Sequence, residues 1–147
     1  MKLKYIFMFL GVMLLGLTAC GKKDTPEPSN KNPFAGTKWE SIRSHTQIDG
    51  DTETFVTEIH FIDDSRVVVS VSYKVTAPNG SIKRQDPTSK GEGTYTYEGL
   101  VAKVIIEAEE DGKLTKHKGT FTMDAAKQKI TALEEGEDKP LILTRKK

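Results

Sequence analysis

The chain has 147 residues, and its 22 lysines and arginines nearly balance its 21 aspartates and glutamates, for a net charge of +1. A chain of this length suits one folded domain. The balanced charge gives no strong field that would recruit nucleic acid, and the sequence has no basic stripe or nucleic-acid motif. Nucleic acid is therefore excluded as an expected partner.

The N-terminal segment is typical of a secretory signal. An uncharged run of thirteen residues, 5–17, follows two lysines. The run is too short for a helix that spans a bilayer, which takes about 20 residues. The single cysteine comes soon after it, and residues 17–20 (Leu-Thr-Ala-Cys) resemble a bacterial lipobox. The resemblance implies that residues 1–19 are a signal peptide and that Cys20 is acylated and becomes the mature N-terminus.

An acylated cysteine would place the protein in the cell envelope. Several acyl chains hold a soluble domain stably on a membrane, so the membrane is an expected partner through the lipid anchor. We expect a lipoprotein of the bacterial outer membrane, on its periplasmic or its surface face. Residues 21–33 are polar and rich in proline, so 20–33 are predicted to form the acylated cysteine and a disordered tether. The folded domain is expected over 34–147.

Beyond the tether, the sequence predicts an all-β domain. Apolar and polar residues alternate with a period of two over 55–61 and 67–75, and threonine, valine, isoleucine and tyrosine are frequent. The other candidate strands are 37–46, 92–98, 100–108, 113–122, 128–134 and 140–146. Turn residues separate these segments, and Glu98-Gly99 predicts a tight hairpin. About eight strands in an up-and-down antiparallel meander favour a small β-barrel, and the same pattern also permits an open sheet or a β-sandwich.

One connection is longer than the others. Residues 76–91 lie between two predicted strands and include Lys83, Arg84 and Lys90, which make the segment locally basic. Long connections in compact domains are often binding loops, lids or disordered segments. The segment is therefore either a mobile solvated loop or a flap over one mouth of the barrel, whose cations contact an anionic group on a ligand or partner.

Four short segments resemble those of a known family. Residues 32–39 place the only tryptophan on the first strand, and the others follow along the chain at 91–99, 118–122 and 141–146. Together with the lipobox and the tether, they resemble the small lipocalin-like lipoproteins of Bacteroidetes. The resemblance implies a barrel in which Trp39 closes one end and Arg145 lies against its ring. The spacing of Gly36 and Trp39 departs from the family pattern, because two residues separate them instead of one.

The sequence shows no arrangement typical of catalysis. His45, His60 and His117 have no partner at a diagnostic metal-ligand spacing. The acidic clusters at 107–111 and 134–138 flank glycines in predicted turns and do not fit a calcium loop. No nucleophile elbow or phosphate-cradling glycine loop is present. We expect no enzymatic activity, no metal and no cofactor.

The leading functional prediction is a non-enzymatic barrel that binds a small apolar or amphipathic ligand. The residues predicted to line its interior are Phe55, Ile59, Phe61, Val69, Val71, Tyr73, Tyr95 and Tyr97, with tyrosine hydroxyls orienting a polar group. One alternative is a protein-interaction or hydrolase-inhibitor module that contacts an envelope protein through its loops. Another is a purely structural domain with a filled interior.

Overall fold

The computed structural model describes residues 31–110 and 112–147, and there every regular element is a β-strand. The strands are β1 (Thr37–Thr46), β2 (Thr52–Phe61), β3 (Arg66–Thr76), β4 (Ile82–Gln85), β5 (Ser89–Glu98), β6 (Val101–Glu110), β7 (Lys113–Met123), β8 (Lys129–Glu134) and β9 (Leu141–Arg145). The predicted signal peptide, Cys20 and the tether as far as residue 30 lie outside the described residues. Within those residues, no helix is long and apolar enough to cross a membrane.

The strands form one antiparallel sheet that closes on itself. Their order is β2-β1-β9-β8-β7-β6-β5-β3-β4, and β2 also pairs with β3. Eight strands therefore make a closed up-and-down barrel, and β4 is added beside β3 at the edge. The all-β prediction and the barrel are confirmed, and the β-sandwich alternative is wrong. Closure pairs most of the strand edges that a flat sheet would leave free.

The extra strand β4 lies in the segment that was expected to be a loop. After β3, the backbone turns through Ala77 and Gly80, and Ile82–Gln85 then pairs back onto Lys74–Thr76. β5 starts at Ser89, three residues before the predicted start. The interpretation of 76–91 as a mobile solvated loop is therefore wrong, and the interpretation as a flap over one mouth of the barrel stays a prediction. Ile-Lys-Arg-Gln has one apolar residue and no alternation, so no periodic signal marked it as a strand.

The hydrophobic core is concentrated at one end of the barrel, here called the packed end. Aromatic rings meet there: Phe61 lies 5.1 Å from Phe34, 4.8 Å from Tyr95 and 6.1 Å from Phe121 between ring centroids. Phe34, Phe61 and Trp39 are each 0% exposed. The remaining core residues are Ile59, Val67, Ala102, Val104, Ile106, Met123, Ile130, Ala132 and Leu143. Burial of this apolar area is the main stabilising contribution to the fold.

The segment before β1 covers the packed end. The side-chain amide of Asn32 donates to the Tyr95 hydroxyl at 2.8 Å, and its oxygen accepts from the Phe34 backbone N–H at 2.9 Å. The Tyr95 hydroxyl in turn donates to the carbonyl of Asp63. Asn32 is only 6% exposed. The folded domain therefore includes Asn32, and the prediction that the disordered tether runs to residue 33 is wrong.

Replacing Phe34 with alanine is expected to lower the free energy of unfolding by about 3 to 5 kcal/mol, because it opens a cavity among closely packed rings. Phe55→Ala is the matched control, since Phe55 is 42% exposed. The free energy of unfolding of Phe55→Ala should fall by less than half as much as that of Phe34→Ala. Urea unfolding of both variants measures the difference, and equal losses would contradict the assignment of the core to the packed end.

The turn between β2 and β3 gives a pH-dependent contribution to stability. Hydrogen bonds from the backbone N–H of Ser65 and the side chain and backbone of Arg66 lower the pKa of Asp63 to about 2, from an ordinary value of 3.8. Since this pKa is lower in the folded state, the contribution is complete above about pH 4 and is lost as the pH falls toward about 2.

In the Asp63→Asn variant, the free energy of unfolding should therefore depend less on pH between about pH 4 and 2 than in the wild type. Urea titrations at several pH values across this interval test it. Parallel pH profiles for the two proteins would show that the turn makes no such contribution.

Candidate functional site

At the end of the barrel opposite the packed end, several inward-facing side chains remain exposed to solvent. Strands alternate their side chains between two faces, so Phe55 and Thr57 share the inward face with the core residues Ile59 and Phe61. Phe55 is nevertheless 42% exposed, and Val71, which pairs with Thr57 from β3, is 36% exposed. This end, where β1 finishes and β2 begins, is called the open end.

An aromatic pair lies on the inward face at the open end. Phe55 and Tyr73 are register partners on β2 and β3, and their ring centroids are 4.7 Å apart at an angle of 42°. Arg84, from β4, places its Cζ 5.4 Å from the centroid of the Tyr73 ring. The additional strand β4 thus brings a cation to the aromatic pair.

Polar groups surround the Tyr73 ring. Its hydroxyl donates to Glu53 Oε1 at 2.9 Å, and the Gln47 side-chain amide donates to the same oxygen at 2.6 Å. Burial and the hydrogen bond to Glu53 raise the pKa of the Tyr73 hydroxyl above its ordinary value of 10.0. Arg84 is held by two hydrogen bonds to Asp86, at 2.8 and 2.9 Å. The open end therefore offers an apolar surface beside an oriented hydrogen-bonding group.

The three cations of the predicted loop do not form one anion site. Lys83 donates to Asp51 Oδ2 at 2.6 Å, and this hydrogen bond raises the pKa of Lys83. Arg84 is paired with Asp86. Lys90 is exposed and lies on β5 opposite Ser70, on the outward face. Two of the three charges are thus neutralised by carboxylates of the same chain, and the third points away from the interior.

The eight residues predicted to line the interior are divided between the two ends. Ile59, Phe61 and Tyr95 belong to the core, and Val69 packs against it. Phe55, Val71 and Tyr73 lie at the open end. Tyr97 lies beyond the core at the packed end, opposite Ala102, and is 40% exposed. These residues do not line one cavity, because packed aromatic rings fill the half of the barrel between them.

Trp39 and Arg145 have the arrangement that the family resemblance implies. They are register partners on β1 and β9, and the Arg145 Cζ lies 5.7 Å from the centroid of the indole ring. The indole N–H donates to the Thr37 hydroxyl at 2.8 Å, so its donor is satisfied in the core. A guanidinium over an indole at an exposed site contributes about 0.5 to 1 kcal/mol.

Sequence reasoning missed Arg43 and His45 as residues of the open end. Both share the inward face of β1 with Trp39, and both are exposed. Counting the two-residue period from Trp39 would have found them. His60 lies on the outward face of β2, whereas His117 lies on the inward face of β7, where its Nδ1 is 2.7 Å from Glu134 Oε1. The two histidines therefore do not meet across the barrel.

No protein-family model, no curated protein and no solved structure matches the chain. In residues 31–110 and 112–147, no three or more histidine, cysteine, aspartate or glutamate side chains are grouped to hold a metal ion. The geometry of the open end is what supports a function.

The hydroxyl of Tyr73 is expected to matter more for stability than that of Tyr97. Tyr73→Phe removes a hydrogen bond to a carboxylate and should lower the temperature of thermal unfolding. Tyr97→Phe is the control, because it makes the same chemical change at a tyrosine whose hydroxyl has no hydrogen bond among the described residues. Thermal unfolding of both variants measures the difference, and equal decreases in the unfolding temperature would contradict a specific role for the Glu53 hydrogen bond.

Proposed function

We propose that this protein is a membrane-anchored extracytoplasmic lipoprotein with a lipocalin-like barrel that binds a small apolar or amphipathic molecule at its open end, without catalysis. The observation that carries the proposal is the exposure of inward-facing Phe55 and Val71, beside the half-buried Tyr73, at one end of a barrel whose other end is packed. Side chains that face the interior of a barrel and remain exposed are a surface available to a ligand.

The packed core limits how deep a ligand can reach. About five residues of β2 separate its first residue, Thr52, from the inward-facing Thr57, which is 9% exposed. At roughly 3.3 Å per residue, this stretch is about 16 Å long along the strand, and strand tilt makes the open end shallower than that. The open end is therefore a shallow cup, with no β9 strand beside the end of β1. The ligand is therefore small, or it is longer and extends past the rim.

The side chains of the cup indicate which groups the ligand carries. Phe55 and Val71 offer apolar area for its body. Glu53 already accepts hydrogen bonds from Tyr73 and Gln47, and its carboxylate has capacity to accept another. A ligand with an apolar body and a hydroxyl or amine that donates to Glu53 fits this arrangement.

Native mass spectrometry of the full chain, extracted gently in detergent from the source membranes, tests ligand binding. We expect a bound small mass that is released on denaturation. Phe55→Ala should lower the occupancy about tenfold, since it removes much of the apolar contact. Tyr97→Ala should leave the occupancy unchanged, because Tyr97 has similar exposure at the opposite end. A ligand-free wild type, or equal losses in both variants, would contradict binding at the open end.

Intact mass of the same material tests the anchor separately. We expect loss of residues 1–19 and the added mass of acyl groups, and Cys20→Ser should abolish both. An unprocessed, unacylated wild type would contradict the lipoprotein assignment. The alternative of an interaction or hydrolase-inhibitor module that acts through its loops stays a prediction.

A further inference from the structure

Part of the β1 edge is unpaired. β1 pairs with β2 along its whole length, but its register with β9 covers only Trp39 and Glu40. Beyond Glu40 the two strands separate, and residues 141–143 of β9 pair with β8 alone. Among the described residues, the edge of β1 from Ser41 to Thr46 therefore has no neighbouring strand on this side. This stretch is called the free edge.

Three residues of the free edge present their backbone groups to the unpaired side. The Gln47 N–H donates to the Asp51 carbonyl at 2.8 Å, which directs the odd-numbered residues of β1 toward β2. The Lys146 N–H donates to the Lys38 carbonyl at 2.9 Å, which directs the even-numbered residues toward β9. Because these directions alternate, the N–H and C=O groups of Ile42, Ser44 and Thr46 lie along the free edge. Such a row is a template for another strand.

The free edge lacks several of the protections that exposed edges usually carry. Proline, bulges and outward lysines commonly block such edges, and inward-pointing charges also do so; here the outward face carries Ile42, Ser44 and Thr46, and Arg43 is the inward-pointing charge. Ile42 is 61% exposed. Beside the end of the edge, a depression of about 550 Å³ is lined by His45, Gln47, Ile48 and Asp49. A bound segment therefore meets both an apolar contact and open space.

The charges on the inward face select the occupant. Arg43 and His45 alternate with the three edge residues, and neither makes an ion pair within the described part of the chain. If a second copy paired antiparallel with its inward face on the same side, the Arg43 side chains of both copies would come close together, which is unfavourable for like charges. A strand with acidic side chains at alternate positions would instead place carboxylates beside Arg43.

We propose that the free edge of β1 binds an extended acidic peptide segment of a partner protein as an added strand. Its backbone would pair with Ile42, Ser44 and Thr46, its acidic side chains would face Arg43 and His45, and its alternate side chains would pack beside Ile42. This surface adjoins the small-molecule cup, because Arg43 is the register partner of Phe55, but the backbone pairing does not depend on a ligand there.

The test uses the full chain in detergent and two acetylated, amidated hexapeptides, one of alternating glutamate and valine and one of alternating lysine and valine. We expect the glutamate peptide to slow hydrogen exchange at the amides of Ile42, Ser44 and Thr46. The lysine peptide should bind about tenfold more weakly. Equal affinity for the two peptides, or protection at other amides, would overturn the proposal.

Two variants separate the backbone contribution from the charge contribution. Ser44→Pro removes one backbone donor of the free edge and leaves the pairing with β2 intact, since proline is tolerated on an edge. It should weaken binding of the glutamate peptide at least about tenfold. Ser44→Ala keeps the backbone donor and should not weaken it. Arg43→Glu should reverse the preference between the peptides, and this result does not require that Ser44→Pro folds. Unchanged preference in Arg43→Glu would refute the assignment.

Two controls distinguish this surface from its competitors. Val71→Ala, which removes apolar area of the small-molecule cup on β3, a strand that does not pair with β1, should leave peptide affinity unchanged. If the same three amides become protected without peptide as the protein concentration rises, together with dimers in sedimentation, the occupant is a second copy and the peptide proposal is wrong.

Discussion

The rings of Phe34, Phe61, Tyr95 and Phe121 contact one another at the packed end, with measured centroid distances from 4.8 to 6.2 Å. This contact joins the segment before β1 to strands β2, β5 and β7, which come from all parts of the domain. Large aromatic side chains supply much of the buried area in a small core. The stability of the barrel therefore depends on the packed end, and the side chains at the open end are not required for it.

The division between the two ends explains the distribution of polar groups. At the packed end, the inward-facing polar atoms are satisfied within the chain, as with the indole N–H on Thr37 and the Tyr95 hydroxyl on Asp63. At the open end, inward-facing Arg43 and His45 remain exposed. Because water reaches these groups, they need no internal partner. Charged side chains can thus face inward at the open end without the cost of burial.

The period of two in the sequence predicted the strands and which residues share a face, and Val67, which is 1% exposed, confirms that the odd-numbered residues of β3 face inward. The same period could not predict depth along the barrel axis. Phe55 and Phe61 have the same inward direction, yet one is 42% exposed and the other is 0% exposed. Asn32 was assigned to the tether because its neighbours are polar, whereas its burial comes from hydrogen bonds to residues far along the chain. Arg43 and His45 lie beside an unpaired strand edge because β9 stops pairing with β1 at Glu40. No local sequence pattern encodes where that pairing stops.

The seam between β1 and β9 also has a kinetic consequence. Here the Lys146 ammonium donates to Glu40, 106 positions away, and the seam has only two register pairs. Contacts between residues so distant in sequence require closure of a long loop, which slows folding. The seven hairpin pairings can form earlier from neighbouring segments, and the first and ninth strands can join only when both are available. The chain should therefore stay open longer than a helical domain of its size, with unpaired strands accessible to chaperones until the seam forms.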